Sequence, residues 1–269
     1  MQTSHPALRS LLREGRVLNE WLAFTRAAGA SITSNRTESP QTILLIPGFM
    51  AGDVSLYPLA HRLRGEGHKV RFAGITANVA CSRKQMARLE SVVQETAREA
   101  GIPVVVVGHS LGGIYARALA RRLPDLIAHT FLLGSPIRGP LHTTNPIVKM
   151  LFIATRRTHD DGTTCIGELS SLCGIHLQDP PRVPSTLIYS KSDGVVQWPA
   201  CIEFAAHVEA VEVKSTHCGI PYNLDTLRII SDRVRAIGQA KAAQADSANG
   251  ASSNGGPSVI LTDHVAQGH

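Results

Sequence analysis

Aromatic residues make up only 4% of this 269-residue chain, with two Trp, four Tyr and six Phe. A site built by stacking rings or nucleobases would need more of them. Basic residues are not concentrated either: with 27 Lys and Arg against 21 Asp and Glu the formal net charge is +6, but they are scattered rather than gathered with aromatics into a stripe. That argues against a nucleic-acid partner and for a mildly basic surface. No apolar run approaches the ~20 residues that span a bilayer. Arg9, Arg13, Arg16 and Glu20 interrupt what would be a signal-peptide core. Five cysteines at 81, 165, 173, 201 and 218 form neither a disulfide framework nor a zinc-ligand spacing. Cys165 and Cys173 have a spacing that permits pairing, but nothing favours a bridge over two free thiols. These absences together predict a protein of a reducing cytoplasm.

What is present is an alternation of short apolar runs and amphipathic stretches, in a chain long enough for a well-buried core. Residues 7 to 28 read as a helix, with Leu8, Leu11, Leu12, Leu18 and Leu22 on one stripe. That stripe either packs on the domain or rests transiently on a membrane surface. After a polar linker, strands are expected at 42–46, 68–75, 103–107, 128–136, 185–190 and 208–215. Helices are expected at 82–101, with Ser82 as cap and Gly101 as stop, and at 223–240. Strands that are apolar throughout, such as "PVVVV", imply a parallel sheet covered on both faces. The organisation expected is an N-terminal helical extension over 1–38, one α/β domain over 39–241, and a disordered tail over 242–269 rich in Ala, Ser, Asn and Gly. Residues 137–184 exceed an ordinary crossover and read as a lid insertion or as crossover helix plus loop.

Gly108-His109-Ser110-Leu111-Gly112 matches G-x-S-x-G. The pentapeptide is weak evidence alone, but it falls between a strand and a helix, the context that gives it meaning. A chain turning that sharply strains the serine and leaves no room for Cβ atoms two residues before or after. A serine hydroxyl needs a base in reach, itself held by a third group. Asp193 follows the strand "STLIYS" and His217 follows "VEAVEVKS", so both leave the same sheet edge as Ser110. Taken singly, Asp193-Gly194 is a good turn and His217 an ordinary histidine. The order Ser, Asp, His at successive strand ends is what makes them a candidate triad. An oxyanion hole would use the N–H of Leu111 and, from the loop after the first strand, that of Phe49. Gly48 would let the backbone approach the substrate, and the Phe49 and Met50 side chains are expected to line an acyl pocket.

With "PGF", "GHSLGGIYAR", "GSPIRG", "YSKSDGVV" and "THCG", the chain resembles the α/β-hydrolase superfamily, its compact bacterial lipase and esterase branch in particular, over residues 42 to 238. The resemblance implies Ser110 as nucleophile, Asp193 as acid, His217 as base, and Phe49 and Leu111 as oxyanion donors. It implies no cofactor, and the chain shows nothing like the calcium site of larger bacterial lipases, so no metal is expected. The superfamily's N-terminal hairpin is missing here, which predicts a reduced sheet of about six strands. The expected activity is hydrolysis of carboxylic esters, the substrate a small ester or lipid. The same residues would also serve an acyltransferase or thioesterase, and a silent binding protein on this fold is a further alternative. Oligomeric state and chain-length preference are not encoded in any motif.

Overall fold

The computed structural model describes residues 14–30, 36–139, 142–155, 175, 177 and 180–253, with the backbone alone at 27–30 and 244–253. Six strands form one sheet: β1 Thr42–Ile46, β2 Lys69–Phe72, β3 Val104–His109, β4 Ile127–Leu133, β5 Ser185–Tyr189 and β6 Val208–Glu212. Their order is β2-β1-β3-β4-β5-β6, every neighbouring pair parallel. This is the reduced parallel sheet that the pattern of apolar runs implies.

The central strands are buried along their whole length because both faces are covered. Alternate residues serve two cores, as a period of two requires. Leu44, Ile46, Val104 and Val106 point to one side, where Met86, Leu89 and Val93 of α3 (Ser82–Ala100) and Ile114 and Tyr115 of α4 (Leu111–Arg122) meet them. Ile43, Leu45, Val105 and Val107 point to the other. There Phe24 of α1 (Val17–Ala30), Leu59 and Leu63 of α2 (Tyr57–Gly65), and Leu227, Ile230 and Val234 of α6 (Leu224–Ser253) cover them. Helix α5 (Pro146–Thr155) lies between β4 and β5 in sequence and buries no residue completely.

Several expectations need correction. Of the expected apolar stripe, Leu18 is 60% exposed and Leu22 half-buried, and Phe24, outside that stripe, is the buried anchor of the N-terminal helix. Leu8, Leu11 and Leu12 lie outside the described residues. Helix α2 has no counterpart in the sequence reading; its nine residues, opened by Pro58 at the first turn, are too few to show a clear period. Ser82 is the first helical residue of α3 rather than its cap, whereas Gly101 ends the helix in the left-handed region at φ 67°. The last helix starts at the Asn223 cap, whose Oδ1 accepts the N–H groups of Asp225 and Thr226. It runs on to Ser253, past 242, because Ala240, Ala242, Ala243, Ala245 and Ala248 favour helix in a segment read as disordered. Residues 254–269, half of the insertion, and Cys165 and Cys173 lie outside the described residues. No helix among the described residues is long and apolar enough to cross a membrane.

Candidate active site

Strand β3 turns into helix α4 at Ser110, whose backbone is held at φ 52° and ψ −116°. Few non-glycine residues adopt such angles, and they persist only where the surroundings enforce them. Here the enforcement is steric and hydrogen-bonded. A Cβ on Gly108 would strike the Gly112 carbonyl, and one on Gly112 would strike the Ile46 carbonyl, so the helix sits closer to the sheet than any side chain permits. The Ser110 N–H donates to the Leu133 carbonyl at 2.8 Å. The turn presents the side chain at the carboxyl end of the sheet and at the N-terminus of α4, where the helix dipole favours negative charge.

Asp193 and His217 leave β5 and β6 at that same edge. The carboxylate is fully used: Oδ1 accepts the N–H groups of Val195 at 2.8 Å and Val196 at 2.7 Å, and Oδ2 lies 2.6 Å from Nδ1 of His217. Both side chains are buried. The Nδ1 proton is thereby directed to Asp193, which leaves Nε2 as the basic nitrogen. Burial pushes the His217 pKa down, but the Asp193 charge and hydrogen bond, with the Glu14 charge, outweigh it and hold the ring above 6.5. His109, next to the serine, donates from Nε2 to the His217 carbonyl at 3.0 Å. Burial, and then the nearby His217, lower its pKa to about 3, so it stays neutral.

Ser110 and His217 flank one corner of the chain. Leu133 receives the serine N–H, and a Cβ on the following Gly134 would lie 3.3 Å from His217 Nδ1. Among the described residues the serine hydroxyl and the ring share no hydrogen bond. In unliganded sites that bond is often long and tightens when substrate arrives.

The loop after β1 stands over the serine. A Cβ on Gly48 would lie 3.3 Å from the Ser110 Cβ and 3.1 Å from His109 Nδ1. Among the described residues neither the Phe49 N–H nor the Leu111 N–H donates to a protein acceptor. The Met50 N–H, by contrast, is taken by the Asn78 carbonyl at 3.2 Å. Asn78 is fully buried and also donates from Nδ2 to the Pro47 carbonyl at 2.8 Å, so it braces the loop from beneath. No sequence signal singles out that asparagine. Beside Ser110 opens a cleft of about 50 Å³ walled by Phe49, Ile114, Pro136, Val148, Phe152, Val195 and Val196, with Thr144 and Lys149 as its polar members. Phe49 lines it as expected, edge-on to Phe152 of α5 with centroids 5.1 Å apart. Met50 does not: it has φ 59° and a side chain 54% exposed, because the turn that frees the Phe49 amide rotates the next residue outward.

Two further residues reach this site without any motif to announce them. Glu14 and Glu20, from the N-terminal segment, accept hydrogen bonds from the loops that carry Asp193 and His217. Glu20 reads in the sequence only as a charge that interrupts an apolar run. Among the described residues no three His, Cys, Asp or Glu side chains are grouped to hold a metal ion.

No protein-family model matches the chain, and no curated protein matches its sequence. Solved structures are similar in fold. One is from work on two metagenome-derived lipolytic enzymes, at 17% identity and TM-score 0.56, covering 76% of this chain and 96% of that one. The monoacylglycerol lipase of Paleococcus ferrophilus aligns at 14% identity and TM-score 0.53 over 76% of this chain and 97% of its own. A pyrethroid hydrolase of Sphingobium faniae aligns at 16% identity and TM-score 0.50 over 73% and 98%. The all-parallel strand order, the strained serine between β3 and α4, and these likenesses identify the chain as a protein of the α/β-hydrolase fold.

Proposed function

We propose that this protein is a serine hydrolase of carboxylic esters, with Ser110 as nucleophile, His217 as general base and Asp193 as the acid that orients it. The observation that carries the reading is the buried 2.6 Å contact between Asp193 and His217, at the sheet edge where the strained Ser110 stands beside an apolar cleft. The fold neighbours named as lipolytic enzymes and an ester-cleaving lipase support the reaction class.

In this mechanism Ser110 Oγ attacks the ester carbonyl carbon as His217 Nε2 takes its proton. The negative charge that gathers on the carbonyl oxygen is met by the Phe49 and Leu111 amides, each such donor being worth about 2.7–4 kcal/mol of barrier. The imidazolium, stabilised by Asp193, returns the proton to the departing alkoxide. Water activated by the same ring then releases the acid from the acyl-serine. The apolar lining of the cleft, mostly aliphatic with Phe49 and Phe152, suits an acyl chain.

A panel of p-nitrophenyl esters from C2 to C16, with and without a serine-directed fluorophosphonate, tests this. Ser110→Ala is expected to lower kcat by about 10⁴–10⁶-fold and to abolish fluorophosphonate labelling. Turnover near the parent's by that variant would end the proposal.

A further inference from the structure

The loops bearing Asp193 and His217 leave different strands, and a relay built across them works only if the two loops keep a fixed separation. Of two carboxylates from outside the sheet, Glu14 binds both loops and Glu20 binds the His217 loop. Glu14 opens the short 3₁₀ turn Glu14–Arg16 that leads into α1. Its Oε1 accepts the N–H of Gly194, the residue after Asp193, at 3.0 Å and the N–H of His217 at 3.0 Å. Its Oε2 accepts the N–H of Cys218 at 3.0 Å. Glu20, on α1, takes the Thr216 N–H at 2.9 Å and the Ser215 hydroxyl at 3.2 Å on Oε1, and the Thr216 hydroxyl on Oε2. Six charge-assisted donors thus converge on two side chains, the stronger class of hydrogen bond. The fit has no slack, since a Cβ on Gly219 would collide with the Glu20 carboxylate. Phe24 anchors the helix, packing edge-on to Tyr222 with centroids 6.3 Å apart.

We propose that the N-terminal turn and helix are a latch for the active site, in which Glu14 is a positioning residue that ties the Asp193 and His217 loops together and Glu20 one that braces the His217 loop. The proposal rests on the reading of His217 as the general base. Glu14 bridges the two loops with one carboxylate, and Glu20 holds the approach to the histidine. The charge of Glu14 also bears on the ring. The groups facing His217 are Asp193 from the β5 loop, His109 from the elbow with centroids 5.1 Å away, Cys218 from its own loop, and Glu14. His109 is neutral, and burial together with Glu14 pushes the Cys218 thiol up to about 12, so it is neutral too. Asp193 and Glu14 are therefore the charges that favour the protonated ring.

The test uses full-length Glu14→Gln, Glu14→Asp and Glu20→Gln, each measured for unfolding temperature, for the kcat and KM of p-nitrophenyl butyrate across pH 5–9, and by NMR titration of the His217 imidazole. In Glu14→Gln the amide group turns donors toward donors and removes the charge. The ring pKa is expected to fall by about half a unit or more, and the acid limb of kcat to move with it. Misplacement of the base is expected to lower kcat roughly ten-fold while KM stays within about two-fold. Glu14→Asp should fall between, and Glu20→Gln should lower kcat with the smaller change in ring pKa. A folded Glu14→Gln protein with unchanged ring pKa and unchanged kcat overturns the latch. Should that variant not fold, Glu14→Asp, whose shorter side chain withdraws the carboxylate from both loops, is read the same way. The imidazole titration needs no ester turnover. If Ser110→Ala remains active while Glu14→Gln still shifts the ring, the hydrolase reading falls and the latch stands.

Discussion

Burial strips water from the His217 ring, and that alone would favour its neutral form near neutral pH. The Asp193 carboxylate at 2.6 Å and the charge of Glu14 reverse the balance and lift the pKa above 6.5. The sign for activity follows. Hydrolysis needs the neutral ring, so kcat/KM should be full at alkaline pH and fall as pH drops through a value above 6.5. A free imidazole would place the limb at about 6.5; the pair formed in the fold moves it upward. A pH–rate profile of kcat/KM checks this, and a limb well below 6.5 would show that another base operates. His109 is ill suited to that role, because burial lowers its pKa to about 3 and its Nε2 is already committed to the His217 carbonyl.

Helix α4 has its residues from Leu111 to Ala120 buried, so it is a fixed support for the elbow. Helix α5 is different in kind. None of its residues is fully buried, Met150 is 62% exposed, and it meets the cleft through Val148, Lys149 and Phe152, the last edge-on to Phe49. Removing that ring should therefore alter the cleft far more than the fold. For Phe152→Ala we expect the chain-length optimum on the p-nitrophenyl ester panel to lengthen, with relative kcat/KM for long over short acyl chains rising several-fold. A ring so weakly covered is worth less to stability than the ~3–5 kcal/mol of a core aromatic, so the unfolding temperature should fall only slightly. An unchanged chain-length profile would remove α5 from the acyl path.

Across the fold, a buried Arg–Glu ion pair ties a helix to a distant loop. Arg117 of α4 is 2% exposed and pairs through both Nη atoms with Glu203, in the loop between β5 and β6, while Nη2 also donates to the Leu177 carbonyl at 3.1 Å. Breaking such a pair by removing one partner strands the other charge away from water, at a cost of about 3–5 kcal/mol. Glu203→Gln should lower the urea midpoint accordingly. The equivalent change at the exposed Arg228–Asp225 pair should cost under about 1 kcal/mol. Equal effects would mean that Arg117 stabilises through its packing and not through its charge.

How much of this was legible follows from how far apart the interacting residues lie. The strands could be read because four consecutive valines are stable only inside a covered parallel sheet, and because β1 begins and ends within its own apolar run. The elbow could be read because strand, glycines and helix are contiguous. Placing Asp193 and His217 at one edge required only the direction of the strands that precede them. Other features left no local trace. Helix α2 was too short for its period to show, the last helix ran on through alanines read as tail, and Met50 was turned out by a backbone angle. The docking of Glu14 and Glu20, some two hundred residues from their partners, depends on surfaces that meet only after the sheet has formed.

The amino-acid order thus determined the periodic elements, the parallel sheet and the serine turn, since each arises from neighbours along the chain. Tertiary packing decided the 2.6 Å meeting of Asp193 with His217, the shape of the cleft and the attachment of the N-terminal helix. Those depend on which remote side chains share a buried volume, where loss of water makes every charge and every hydrogen-bond donor count for more.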